Sequence, residues 1–224
     1  MIDNDSQANL SEFFNYDTDD LENQKKTLYS SYITNTPLSS LILRDNPALI
    51  PASDLLSDVE ADLVNDALVH RATILRDKLS EISDRFDYIL IDCPPWLNVL
   101  TINALVASQL IIIPMSTDRF ASNGVRRLFT AVRNVSIRLN PSLKIFGILP
   151  TRFTPSFVND RKNLAKVQAF AEGINVRVLE PIKRSTIFNT EADEETPSEC
   201  IRPEPQAVDL FRPLGEEILR HGTK

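Results

Sequence analysis

The amino-acid sequence predicts an α/β protein with a doubly wound, mostly parallel sheet, and two observations carry that expectation. Short β-branched apolar runs alternate along the chain with longer segments of helical period, the order that gives parallel strands joined by crossover helices. The clearest run, Asp87-Tyr88-Ile89-Leu90-Ile91-Asp92, stops at an aspartate followed by Cys93-Pro94-Pro95. Two consecutive prolines continue neither a helix nor a central ladder, so the run reads as a buried strand with Asp92 at its carboxyl end. Open α/β sheets bind ligands at that end. A carboxylate there can hold a magnesium ion through water or can simply accept backbone N–H bonds in the turn, and the run alone leaves both readings open.

The remaining elements follow in order. Residues 1–11 read as the stub of a strand ending in a turn that carries Asp3 and Asp5, then a polar and aromatic helix to about Phe14. Residues 15–37 are acidic, then polar, and predict a short helix and a surface loop. Ala48-Leu49-Ile50-Pro51-Ala52 is a short strand ended by proline. Leu55, Leu56, Val59, Leu63, Ala67 and Leu68 recur at three and four, predicting an amphipathic helix capped by Ser53 or Asp54. A second helix carries Ile74, Leu75, Leu79 and Ile82 into the strand at 87–92. Trp96 to Ala107 reads as a helix packed on the sheet, and Leu110 to Pro114 as a strand buried on both faces.

Val125, Leu128, Phe129, Val132, Val135 and Leu139 keep helical spacing up to Asn140-Pro141, with Arg126, Arg127, Arg133 and Arg138 off that stripe. Leu143 to Leu149 is the next strand, with Pro150-Thr151-Arg152 at its carboxyl end. Asn159 to Glu172 predicts a helix, Val176 to Leu179 the last strand, and Pro181-Ile182-Lys183-Arg184 the turn after it. Glu191 to Glu204, acidic with two prolines, predicts a loop before a terminal amphipathic helix from Ala207 to Arg220.

At 224 residues and 42% hydrophobic content, the chain suits one domain, residues 1–224, with a sizeable core. No apolar run is long enough to span a bilayer, and Met1 is followed by acids rather than a basic and apolar leader, which points to the cytoplasm and away from a membrane partner. Cys93 and Cys200 have no metal-ligand spacing with His70 or His221 and are expected to be thiols. The net charge of −7 is unevenly spread: residues 1–66 hold thirteen acids and three bases, whereas 119–159 hold Arg119, Arg126, Arg127, Arg133, Arg138, Lys144 and Arg152 and no acid. That asymmetry admits an anionic partner or a merely solvated helix face.

The run Met1 to Ser11 carries the spacing D-x-D-x-Q-x-N at Asp3, Asp5, Gln7 and Asn9. By spacing alone the aspartates suit a pair of Asx turns. Together with Phe86 to Pro95, Thr101-Ile102-Asn103-Ala104-Leu105, Ile112-Ile113-Pro114, the Gly124 helix, Gly147-Ile148-Leu149-Pro150-Thr151, Pro181-Ile182-Lys183-Arg184 and Glu191-Ala192, the chain resembles the ParA family of partition ATPases over nearly its whole length. The Thr-Ile-Asn-Ala-Leu run leans towards ParA rather than its MinD and nitrogenase-reductase relatives.

The resemblance implies a P-loop NTPase fold, ATP and Mg2+ as cofactors, a homodimer that binds DNA without sequence preference in a nucleoid-associated state, and hydrolysis stimulated by a ParB-type partner. Carried over by motif, Asp5 orients the attacking water, Asp3 and Asp92 serve the metal, and Pro94 and Pro95 form the second switch. Thr151, Arg152 and Pro181 border the base, and Arg126, Arg127, Arg133, Lys183 and Arg184 are the DNA-contact candidates. The family also opens with a strand and a loop K-G-G-x-G-K-[ST] that cradles phosphate. The five glycines here, at 124, 147, 173, 215 and 222, form no such loop. The expectation is therefore a sheet missing its first strand, P-loop and first helix, and a chain that does not hydrolyse ATP as it stands. The alternative is a non-catalytic protein that keeps the scaffold and binds DNA or a partner subunit.

Overall fold

The computed structural model describes residues 1–44, 47–63, 68–117, 122–185 and 205–222. Cys200, Arg119, the Glu191-Ala192 pair and the acidic loop expected at 191–204 lie outside them. The chain is α/β with parallel strands and divides into two units, Met1–Gln109 with Arg127–Leu143, and Leu110–Arg126 with Lys144–Lys224.

In the first unit β1 (Ile2–Asp3) pairs in parallel with β2 (Ile91–Asp92), Ile2 opposite Ile91 and Asp3 opposite Asp92. On its other side Ile2 bridges Ile50 of the Leu49-Ile50-Pro51 segment, so β1 is flanked on both sides. Around this core lie α1 (Asn9–Phe13), α2 (Thr18–Asn23), α3 (Leu28–Ile33), α4 (Val59–Asp62), α5 (Leu68–Leu79) and α6 (Val99–Ala107). Ile2, Leu28, Leu38, Ile50, Leu56, Leu75 and Leu100 form a shared apolar cluster with almost no exposed surface.

Several expectations are corrected here. Residues 15–37 hold the expected short helix, α2, but in place of the surface loop a second helix, α3, folds there, and its Leu28 and Tyr32, four apart on one face, are buried. The helix expected from Asp54 is a 3₁₀ turn over Asp54–Asp58 running into the single turn of α4. Only Ile91–Asp92 of the expected buried strand joins a ladder, and Tyr88 and Leu90 are 43% and 57% exposed. An apolar run is buried on both faces only where strands and covering helices flank it; among the described residues β2 is paired with β1 alone. The helix expected from Trp96 begins at Val99, because Asn98 caps it by accepting the Thr101 N–H at 3.0 Å, and Trp96 and Leu97 remain exposed.

In the second unit β3 (Leu110–Ser116) runs parallel to β4 (Lys144–Thr151), from Leu110 opposite Lys144 to Ser116 opposite Thr151. β3 was expected to be buried on both faces, yet Leu110 and Pro114 are exposed, again on a strand paired on one side among the described residues. The strand expected at 176–179 is reduced to a bridge between Ile148 and Val178. Gly147 is what lets that segment approach, since a Cβ there would lie 2.8 Å from the Leu179 side chain. α7 (Ser122–Arg138) spans the division between units, α8 (Val158–Gly173) follows β4, and α9 (Pro205–Gly222) covers Phe146, Leu149, Leu179 and Ile182 with Leu214 and Ile218. Arg177 fixes α9 by stacking 4.0 Å over Phe146 and pairing with Glu217.

Candidate functional site

The parallel register places Asp3 and Asp92 at the same level of neighbouring strands, at their carboxyl ends. From there the chain leaves β1 through two consecutive Asx turns: the Asp5 N–H donates to Asp3 Oδ1 at 3.2 Å, and the Gln7 N–H to Asp5 Oδ1 at 3.0 Å. The backbone closes behind them, with Ala8 N–H bonded to the Asp5 carbonyl and Ala8 at φ 52°. The local turn chemistry that the spacing alone suggests is present, and it is what presents Asp5 at the sheet edge.

Asp3 is 0% exposed, and both its oxygens are engaged within the protein, Oδ2 accepting the N–H of Ser11 at 2.9 Å and its hydroxyl at 2.7 Å. Burial raises its pKa, more than the bonds from Ser11 and Asp5 lower it. Asp92 is exposed as a residue, yet desolvation of its carboxyl, then the charges of Asp3 and Asp5, hold its pKa above the ordinary value. Asp92 therefore feels both turn carboxylates, and Asp3 feels the charge of Asp5. Cys93, a free thiol, is pushed up to about 12 by burial and then by Asp92.

Residues that motif reading passed over hold this edge together. The side chain of fully buried Asn4, between the two turn aspartates, donates to the Leu100 carbonyl at 3.0 Å and accepts from the Tyr32 hydroxyl at 3.1 Å. Its own N–H bonds the Asp92 carbonyl. The Asp3–Asp5 turn is thus tied to β2, α3 and the first turn of α6, which Pro94 and Pro95 lead into. Pro94 is buried and Pro95 exposed. Asn4 lies inside the D-x-D-x-Q-x-N run and Ser11 two residues past its end, so their position was a signal; their partners were not.

In the second unit Thr151 ends β4 and Arg152 follows in the left-handed region at φ 57°. The next residue, Phe153, bridges Lys183 and accepts the Arg184 N–H, while the Ile182 N–H bonds the Pro150 carbonyl. Thr151, Arg152, Pro181, Lys183 and Arg184 are thereby brought to one edge. Two further residues brace it: buried Asp160 accepts the Thr154 N–H at 2.8 Å, and Asn163 donates to the Thr117 carbonyl at 2.8 Å, just past β3. The polar run Asp160-Arg161-Lys162-Asn163 opening α8 was the available signal. On α7, Arg126, Arg127 and Arg133 are all exposed, Arg126 in the second unit and the other two in the first. Arg126 lies 5.7 Å over the Phe170 ring.

The residues of this chain supply only part of a site for ATP and Mg2+. Among the described residues no three His, Cys, Asp or Glu side chains are placed to hold a metal ion, Asp3 is engaged internally, and none of the five glycines stands in a phosphate-cradling loop. The exposed Asp92 and half-buried Asp5 supply carboxylates to one side of such a site and nothing to the phosphates.

The fold and this edge have known counterparts. Residues 1–145 match a family model described as an AAA domain. The chromosome partitioning protein ParA of Myxococcus xanthus is 33% identical over 74% of this chain, and the chain spans about half of that relative's length, 56%. The sporulation initiation inhibitor protein Soj of Bacillus subtilis is 28% identical, over 99% of this chain and 86% of Soj. Among solved structures, a protein described as cobyrinic acid a,c-diamide synthase from Mycobacterium smegmatis, with bound ATP analog and magnesium, superposes with a TM-score of 0.82 at 27% identity, covering 100% of this chain and 82% of that one. The D-x-D turn bonded across to the Asp92 strand, the ordered motifs behind it and the match over residues 1–145 have one explanation: the chain belongs to the AAA-domain family of P-loop ATPases, in its ParA branch.

Proposed function

We propose that this chain serves ParA-type partitioning of DNA, and the observation that carries the reading is the register that sets Asp3 beside Asp92 with Asp5 on the adjoining turn. In this reading Asp5 and Asp92 stand on the metal and water side of the site, with Asp3 holding the turn rather than reaching outward. Pro94 and Pro95 form a turn that responds to nucleotide state, and Thr151, Arg152 and Pro181 border the base. The related Myxococcus protein is named for chromosome partitioning, and the Mycobacterium smegmatis structure holds an ATP analog with magnesium, which supports the assignment by analogy. A ParB-type partner, self-association into a homodimer, sequence-independent DNA binding and residence on the nucleoid belong to the same reading.

The phosphate-binding loop is not among the 224 residues, and donors to the transferring phosphate supply much of phosphoryl-transfer catalysis. That favours a second reading in which this chain keeps the scaffold and its DNA and partner contacts without turnover of its own. The DNA contact, common to both, is tested by fluorescence anisotropy of the chain with labelled duplexes of unrelated sequence at several salt concentrations. Equal affinities that fall steeply with salt are expected. No binding, or binding to one sequence alone, contradicts it.

A further inference from the structure

The loop between β4 and α8 presents Phe157 to solvent at 58% exposure, and Val158, the first residue of α8, stands next to it at 53%. An exposed aromatic on a pliable loop means little, but this loop is braced. The Phe157 N–H bonds the Thr154 carbonyl at 2.9 Å, the Thr154 N–H is held by buried Asp160, and the Arg161 guanidinium donates to the Pro155 carbonyl at 2.7 Å. Exposed bases surround the same loop: Arg161 and Lys162 near the start of α8, Arg152 before it, and Lys183 and Arg184 across the Phe153 bridge. From 150 to 171 the only acid is Asp160, which is turned inward at 4% exposure.

We infer that Phe157 is an apolar wedge that enters duplex DNA at a base step while the surrounding Lys and Arg side chains take the flanking phosphates. The inference rests on the DNA-binding reading above and adds a contact that phosphate binding alone does not require. A rigid apolar tip within a basic collar is how many proteins unstack and kink a duplex from the minor groove. An anionic bilayer would also attract such a tip, yet it is a broad plane, and a protein of net charge −7 meets it with its acid-rich surfaces as well. Duplex DNA is narrow, and screening over about 8 Å at physiological salt lets one local basic face bind it while the remaining charge is not felt.

The test compares the full chain with Phe157→Ala, Phe157→Leu and the double variant Lys162→Ala/Lys183→Ala, using anisotropy on random-sequence duplexes and fluorescence of a duplex carrying 2-aminopurine. Phe157→Ala is expected to weaken binding roughly tenfold at an unchanged salt slope and to abolish the rise in 2-aminopurine fluorescence, whereas Phe157→Leu keeps both. The lysine variant should lower the salt slope by about one unit per lysine. Wild-type binding that Phe157→Ala leaves intact overturns the wedge and spares the DNA reading; absence of wild-type binding overturns both. Binding to vesicles containing phosphatidylserine that needs Phe157, with no DNA binding, assigns the tip to a membrane and overturns the inference.

Discussion

The hydroxyl of Ser11 donates to the carboxylate of Asp3 at 2.7 Å in a position from which solvent is excluded, and the same hydroxyl accepts the Ala52 N–H at 2.9 Å. One small side chain thus joins the aspartate turn to the segment after Ile50. Ser11→Ala leaves the buried Ala52 N–H without this partner and Asp3 Oδ2 with only the Ser11 N–H, and an unsatisfied buried group costs about 1–3 kcal/mol. Urea unfolding should show a loss of about 1–3 kcal/mol with an unchanged m-value, and an unchanged midpoint would remove Ser11 from this role.

Asn103 bonds the backbone of α5: its side chain accepts the Leu75 N–H at 3.1 Å and donates to the Arg71 carbonyl at 2.6 Å, two groups one helical turn apart. Because those two groups can partner each other within the helix, Asn103→Ala should cost less than Ser11→Ala, about 1 kcal/mol, measured in the same urea titration. A larger loss would mean that α5 cannot relax.

The raised carboxyls of Asp3 and Asp92 fix the sign of one pH effect. With native pKa values above those of the unfolded chain, the native state holds more protons in the window between them, so these two groups make stability fall as pH rises from about 4 through their native values. Removing the Asp92 charge removes its repulsion with Asp3. Asp92→Asn should raise Tm by about 1–3 °C at pH 7, with the gain shrinking at pH 4 where the wild-type carboxyls take up protons. A Tm difference independent of pH would refute the coupling.

Cys93, pushed up to about 12, stays protonated in the native state at pH 8. In a Cys200→Ser background, alkylation by iodoacetamide should run roughly a thousandfold slower than that of an exposed thiol and should become fast on unfolding. The linkage has the opposite pH range from the carboxyls: only the unfolded thiol ionises between about 8.5 and 12, so stability falls across that alkaline window. Rapid native labelling at pH 8 would contradict the burial.

The carboxyl-edge aspartates and the parallel α/β order could be read from the chain, because a run stopped by Pro94-Pro95 and an Asp-x-Asp turn are local signals. Burial could not. Tyr88 and Leu90 have the composition of a core strand, but β2 pairs with β1 alone among the described residues, and their exposure follows from that neighbour count rather than from their own chemistry. Leu28 and Tyr32 erred the other way, a buried pair hidden in a polar stretch. Ser11, Asn4 and Asn103 work by bonding residues 41, 96 and 28 positions away, respectively, and no periodicity announces such partners.

The most direct measurement is magnesium-dependent ATP turnover by the purified 224-residue chain, with and without duplex DNA, beside Asp5→Ala. With carboxylates at the sheet edge and no phosphate-cradling loop in its sequence, the chain should show no turnover above background in either condition, and Asp5→Ala should be indistinguishable from it. Turnover that requires magnesium and disappears in Asp5→Ala would contradict the account, because these residues would then be completing a phosphate site by themselves.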